Sequence, residues 1–109
     1  MKWKLLYLNE VTNDLSNLDN SVKSRVRKSI EKVAQNPLPK SEGGYGKPLG
    51  NVDGINLTGC SKIKLLGVGL RVVYKIQRTD NEMKVIIISA RSDNEVYIEA
   101  EKRVKKYNL

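Results

Sequence analysis

Ser61–Tyr74, S-K-I-K-L-L-G-V-G-L-R-V-V-Y, constrains the fold more than any other stretch of the chain. Lys62, Ile63, Lys64 and Leu65 alternate charge with hydrocarbon, the pattern of a half-buried strand. Leu70–Tyr74 reads as a second strand, because β-branched and aromatic side chains fit a pleated surface. Gly67-Val68-Gly69 between them leaves room only for a tight reversal. A chain with this segment must build an antiparallel sheet. Lys62 and Lys64 are two apart and leave the same face of their strand. Arg71 opens the second strand and comes near them in a hairpin. The row is either a solvated basic strand face or a pocket for a polyanion.

The elements on either side follow from the same kind of reading. The second strand runs on to about Arg78, and Asp80-Asn81 makes a turn. Met83–Ala90 is the most apolar run, and Val85, Ile86, Ile87 and Ile88 in succession predict a central strand covered on both faces. Ser92 or Asp93 caps a last helix, with Glu95 placed as in a capping box. Val96, Ala100 and Val104 form that helix's apolar stripe, and Lys102, Arg103, Lys105 and Lys106 favour its C-terminal end. Upstream, Trp3–Leu8 predicts a first strand, and Asn9 a cap for a helix beginning at Glu10. Val11, Leu15 and Leu18 supply that helix's stripe. Asp19-Asn20-Ser21 breaks it. Val22, Val26, Ile30 and Val33 then predict a second helix, which ends at Asn36-Pro37. Pro37–Gly59, rich in proline and glycine, predicts a long loop with little regular structure beyond a brief extended piece at Ile55–Leu57. Its Lys47 either faces the same surface as Lys62 or belongs to an ordinary surface excursion. The predicted fold class is α+β: an antiparallel meander plus an N-terminal strand, with an N-terminal αα-hairpin and a C-terminal helix packed against one face.

Charge narrows the function. The chain of 109 residues, read as a single domain over 1–109, carries 20 Lys plus Arg against 12 Asp plus Glu, a net charge of +8. That balance asks for an acidic partner, and nucleic acid fits a small basic domain best. No apolar run approaches the roughly 20 residues of a membrane span. The start Met1-Lys2-Trp3-Lys4 lacks a small-residue cleavage site, so a cytoplasmic location is expected, without a membrane partner. The single Cys60 makes no internal disulfide. Histidine is absent, which excludes histidine acid–base chemistry and leaves a zinc site almost nothing but carboxylates. No metal or cofactor is expected, and any catalysis must use Lys, Arg, Tyr, Asp or Glu.

Lys62, Lys64, Arg71, Arg91 and Tyr97 are the candidates for that chemistry. Guanidinium and ammonium groups neutralise phosphate oxygens, and a tyrosine ring stacks on a base. With Lys62-Ile-Lys-Leu, Gly69-Leu-Arg-Val-Val-Tyr74 and Ile88-Ser-Ala-Arg-Ser-Asp-Asn-Glu-Val-Tyr97 in view, the chain resembles the RelE/ParE superfamily of type II toxin–antitoxin toxins. It is most similar to the RelE-like branch, whose members cut messenger RNA. The resemblance runs from Tyr7 to Tyr107. It implies that Lys62, Lys64, Arg71, Arg91 and Tyr97 line an RNA-cleaving site. Lys47, Lys62 and Arg71 are the expected RNA-binding residues. It implies as partners a cognate acidic antitoxin, messenger RNA and the ribosomal A site. A ParE-like inhibitor of DNA gyrase and a noncatalytic RNA-binding module are the alternatives. Two departures stand out: the Gly43–Gly59 stretch is longer than in compact members, and Ala90 and Asp93 stand where basic residues are frequent.

Metal-free RNA cleavage needs a base for the 2′-hydroxyl, stabilisation of the phosphoryl charge, and a proton for the 5′-oxygen. Lys64 is the expected base, on the argument that clustered cations disfavour a further ammonium. Lys62 is the expected electrostatic stabiliser and Arg71 the phosphate clamp. Arg91 is assigned to the leaving oxygen, and Tyr97 to stacking on a base.

Overall fold

The computed structural model of the chain describes residues 3–109. The Met1-Lys2 start of the N-terminal segment read above lies outside the described residues. Strand β1 (Lys4–Tyr7) leads into helices α1 (Asn9–Ser16) and α2 (Asn20–Ala34). Strands β2 (Lys47–Val52), β3 (Ile55–Leu65), β4 (Leu70–Gln77) and β5 (Glu82–Ser89) follow, and helix α3 (Asp93–Lys106) closes the order. The sheet order is β1-β5-β4-β3-β2, with β1 parallel to β5 and the other pairs antiparallel. The α+β architecture is the expected one. No helix among the described residues is long and apolar enough to cross a membrane.

The predicted hairpin forms with Lys64 opposite Arg71 and Lys62 opposite Val73. A single 3₁₀ turn, Leu66–Val68, makes the reversal, and Gly69 ends it in the left-handed region at φ 65°. That conformation costs glycine nothing, since it has no Cβ. The Pro37–Gly59 stretch departs from expectation. It is not a loose loop: apart from the 3₁₀ turn Lys40–Glu42, most of it forms β2 and the first half of β3. Asp53 (φ 49°) and Gly54 (φ 82°) both take positive φ at the reversal. An Asp-Gly pair of this kind is the preferred centre of a two-residue hairpin, and that signal was present in the sequence. Frequent glycine and proline obscured it. The helix start at Asn9 also differs. Asn9 is the first helical residue, and Leu8 holds the cap position without any side-chain cap bond. Leu8 is still bonded through its N–H to the Val85 carbonyl (3.3 Å), so the chain passes from sheet to helix directly.

The helices cover both faces of the sheet, not one. On the first face Val11, Leu15, Val26 and Ile30 pack with Val72, Tyr74, Met83 and Val85. On the second, Val96, Tyr97 and Ala100 of α3 pack with Val73, Ile86 and Ile87. A bulge adds a residue to the second core. Val73 pairs with Ile87 and Tyr74 with Val85, which leaves Ile86 as the extra residue. Ile86 and Ile87 therefore serve the same face, and an apolar run of this kind demands a cover on each side.

Two ionic ties hold α3 in place across the β5 edge. β1 pairs only with Glu82–Val85. Beyond it, Asp14 of α1 accepts from the Ile88 N–H (3.1 Å), and Arg103 of α3 donates to the Ile86 carbonyl (3.0 Å). The two side chains join through Arg103 Nη1 and Asp14 Oδ2 at 2.7 Å. Side chains thus satisfy backbone groups that a longer β1 would have paired. Nearer the end of the chain, Glu10 accepts from Lys106 (2.8 Å) and from the Tyr107 hydroxyl (2.7 Å).

Candidate nucleic-acid site

Register fixes the site. Directly opposed residues of an antiparallel pair share a face. Lys47 lies opposite Lys62, and Lys64 opposite Arg71. Lys62 also lies opposite Val73, which packs under α3. Lys47, Lys62, Lys64 and Arg71 therefore form one basic row across β2, β3 and β4, on the α3 face of the sheet. The lysine of the presumed loop does face the surface of Lys62, because that loop is a strand. Lys47 and Lys62 have no ion-pair partner among the described residues. Like charges directly opposed across strands are destabilising, so the row is poised for an anion.

The N-terminus of α3 closes one end of the row. The Ser92 hydroxyl accepts from the Glu95 N–H (3.4 Å), the predicted cap. Asp93, the next residue, reaches back over the strands. Its Oδ1 is ion-paired with Arg71 Nε, and its Oδ2 lies 3.9 Å from Lys64 Nζ. Arg71 Nη1 donates to the Arg91 carbonyl (3.2 Å). The guanidinium is thus held on two edges, while Nη2 makes no hydrogen bond among the described residues. Arg91 enters the cluster through its backbone, and it also lines a cavity of about 550 Å³ with Asp14, Asn17, Glu99 and Arg103.

Tyr97 sits beneath this cluster, only 5 % exposed. Its ring is part of the second core and offers no open face for a base to stack on. Burial pushes its phenol pKa up, the Asp93 charge adds to the rise, and Arg71 opposes it. The hydroxyl therefore keeps its proton at neutral pH. Cys60 is buried on the same face, and burial pushes its thiol up to about 11, away from any nucleophilic role.

In the sequence Asp93 stands out as a departure from a basic position and as one of two candidate caps, with no role among the basic residues. Its place at the centre of the basic cluster depends on α3 crossing back over β4, which no local pattern encodes. The surroundings of Lys64, expected to be cationic alone, include the Asp93 carboxylate.

Neither a protein-family model nor a curated protein matches the chain by sequence. Solved structures do. The free Escherichia coli toxin RelE, in a form with two arginine-to-alanine substitutions, aligns over 95% of this chain and 99% of its own, with a TM-score of 0.72 and 25% identity. The chain has the RelE-like toxin fold. The RelBE2 toxin–antitoxin complex of Mycobacterium tuberculosis aligns with a TM-score of 0.66 at 18% identity, over 85% of this chain and 95% of that one. The archaeal RelE–RelB complex from Pyrococcus horikoshii gives 0.60 at 16% identity, over 85% and 99%. The strand before the two helices, the sheet and the helix after it match that fold.

Proposed function

We propose that the chain is the toxin of a type II toxin–antitoxin module, a metal-independent endoribonuclease that cuts messenger RNA on the ribosome. The single observation that carries the reading is the Lys47–Lys62–Lys64–Arg71 row, on a strip of sheet beside the start of α3. Similarity to a RelE toxin and to RelE–RelB complexes supports both the toxin class and an antitoxin partner. In this reading Lys47 and Lys62 track the RNA backbone. Arg71 clamps the scissile phosphate through its unengaged Nη2, assisted by Lys64. Arg91 stabilises the charge on the leaving 5′-oxygen, and the neutral Tyr97 hydroxyl donates to a phosphoryl oxygen. These donors act on charge that grows in the transition state. The net charge of +8 steers an acidic antitoxin to the same surface. The chain acts as a single domain in the cytoplasm.

The test is 5′-end mapping on a translated messenger incubated with the purified chain, with and without ribosomes. New 5′ ends within the reading frame, dependent on ribosomes, are expected. RNA binding without new ends would mean a noncatalytic module. Arrest of DNA replication before protein synthesis in expressing cells would point to gyrase.

A further inference from the structure

The proposed reaction needs a proton acceptor, and the basic row does not offer one in its ordinary form. Lysine and arginine carry their protons at neutral pH. The chain has no histidine, and burial keeps the Tyr97 phenol protonated. Asp93 is the one carboxylate ion-paired with the row among the described residues. Building on the endoribonuclease reading above, we propose that Asp93 is the general base of RNA cleavage.

Three features of its placement support this. First, the carboxylate is held at a fixed orientation. The Ser92 cap sets the start of α3, and Arg71 Nε grips Oδ1, which is fully covered. Second, the other oxygen is open. The side chain is 45 % exposed, and Oδ2 points to the gap before Lys64 Nζ, 3.9 Å away. A phosphate held by Lys64 and Arg71 Nη2 would lie against that oxygen, with the ribose hydroxyl next to it. Third, the surrounding charge favours an anionic substrate despite the carboxylate. Lys62, Lys64 and Arg71 outnumber it. The cations also stabilise the extra charge of the phosphorane-like transition state, which offsets the modest basicity of a carboxylate.

The step balances without a further reactant. The 2′-hydroxyl proton passes to Asp93 Oδ2, and the freed electron pair forms the 2′-O–P bond. The P–O5′ bond breaks, and the 5′-oxygen takes a proton from water. The products are a 2′,3′-cyclic phosphate and a 5′-hydroxyl. The carboxylic proton then returns to the hydroxide left by that water.

The experiment measures single-turnover cleavage of a ribosome-bound messenger by wild type, D93N, D93E and D93A, with melting curves and RNA binding recorded for each. D93N is expected to lose about 10²–10⁴-fold in rate while binding RNA at least as tightly, since one negative charge is gone. D93E keeps a carboxylate and is expected to retain part of the rate. Formate added to D93A is expected to restore cleavage in a saturable way, a response that a purely structural role does not give. A D93N rate within about tenfold of wild type would falsify the assignment. So would a folded, RNA-binding D93A that ignores formate. A D93N that cuts faster than wild type would make Asp93 a competitor of the phosphate instead. If wild type itself makes no cuts, the endoribonuclease reading falls and takes this one with it. An active wild type beside an active D93N sinks this assignment alone.

Discussion

At the scale of single residues, the most informative contrast is between Asp93 and Tyr97. Asp93 is one helix residue long in its reach, yet it touches both Arg71 and Lys64. Tyr97 is one turn further on and is buried in the second core. A role for Tyr97 must therefore run through its hydroxyl, not its ring face. Removing only the oxygen, Y97F, leaves the packing intact. The expected result is an unchanged melting temperature and a cleavage rate lowered about ten- to a hundredfold, the worth of a hydrogen bond to a charged group, ~1.5–3 kcal/mol. Y97A also empties the core and is expected to lose ~3–5 kcal/mol of stability. Urea titrations beside single-turnover rates separate the two effects. Full activity in Y97F would remove the hydroxyl from the mechanism.

At the scale of elements, the site depends on how α3 is held. Its N-terminal part carries Asp93 and Tyr97, and its last turn is fastened by Arg103 to Asp14 and to the Ile86 carbonyl. The Arg103 and Asp14 side chains are 11 % and 16 % exposed, so breaking the pair strands a charge in a poorly hydrated place. R103M is expected to destabilise the chain by about 3 kcal/mol and to lower activity, although Arg103 is not assigned to contact RNA. Equilibrium unfolding checks the first expectation. A loss of under about 0.5 kcal/mol, as for an ordinary surface change, would show that the apolar contacts of Val96, Tyr97 and Ala100 hold the helix alone.

At the scale of the whole molecule, Glu10 links the beginning of the helical layer to the end of α3. Hydrogen bonds from Lys106 and then Tyr107 pull its carboxyl down to about 2. The folded value lies below the unfolded one, near 4.3 for glutamate. The link therefore stabilises the fold fully above that unfolded value, and its contribution is lost as pH falls from about 4 toward 2. Wild type is expected to lose more stability than E10Q over that window, read as the change in urea midpoint. Parallel curves for the two proteins would show that the link adds nothing. High salt should narrow the difference, because Lys106 is largely exposed.

Much of the fold was legible in local patterns, and the reasons are physical. The 3.6-residue stripes of α2 and α3 and the Ser92 cap are set by neighbouring side chains and backbone, so they survive as sequence signals. The alternation of Lys62 and Lys64 placed both on one face before any pairing was known. The run from Val85 to Ile88 announced a strand buried on both sides. Other features needed the folded chain. That Ile86 joins Ile87 under α3, on the face opposite α1 and α2, rests on the bulge, a property of two strands in register. That Lys47 joins the row rests on β2 pairing with β3. That Asp93 meets Arg71 and Lys64 rests on a helix crossing back over a sheet. The sequence by itself determined which side chains were charged, which strands and helices they rode on, and which face each left. Tertiary structure alone decided which charges meet, because contact between residues distant in the chain is set by packing two apolar faces at once, and no local periodicity records that.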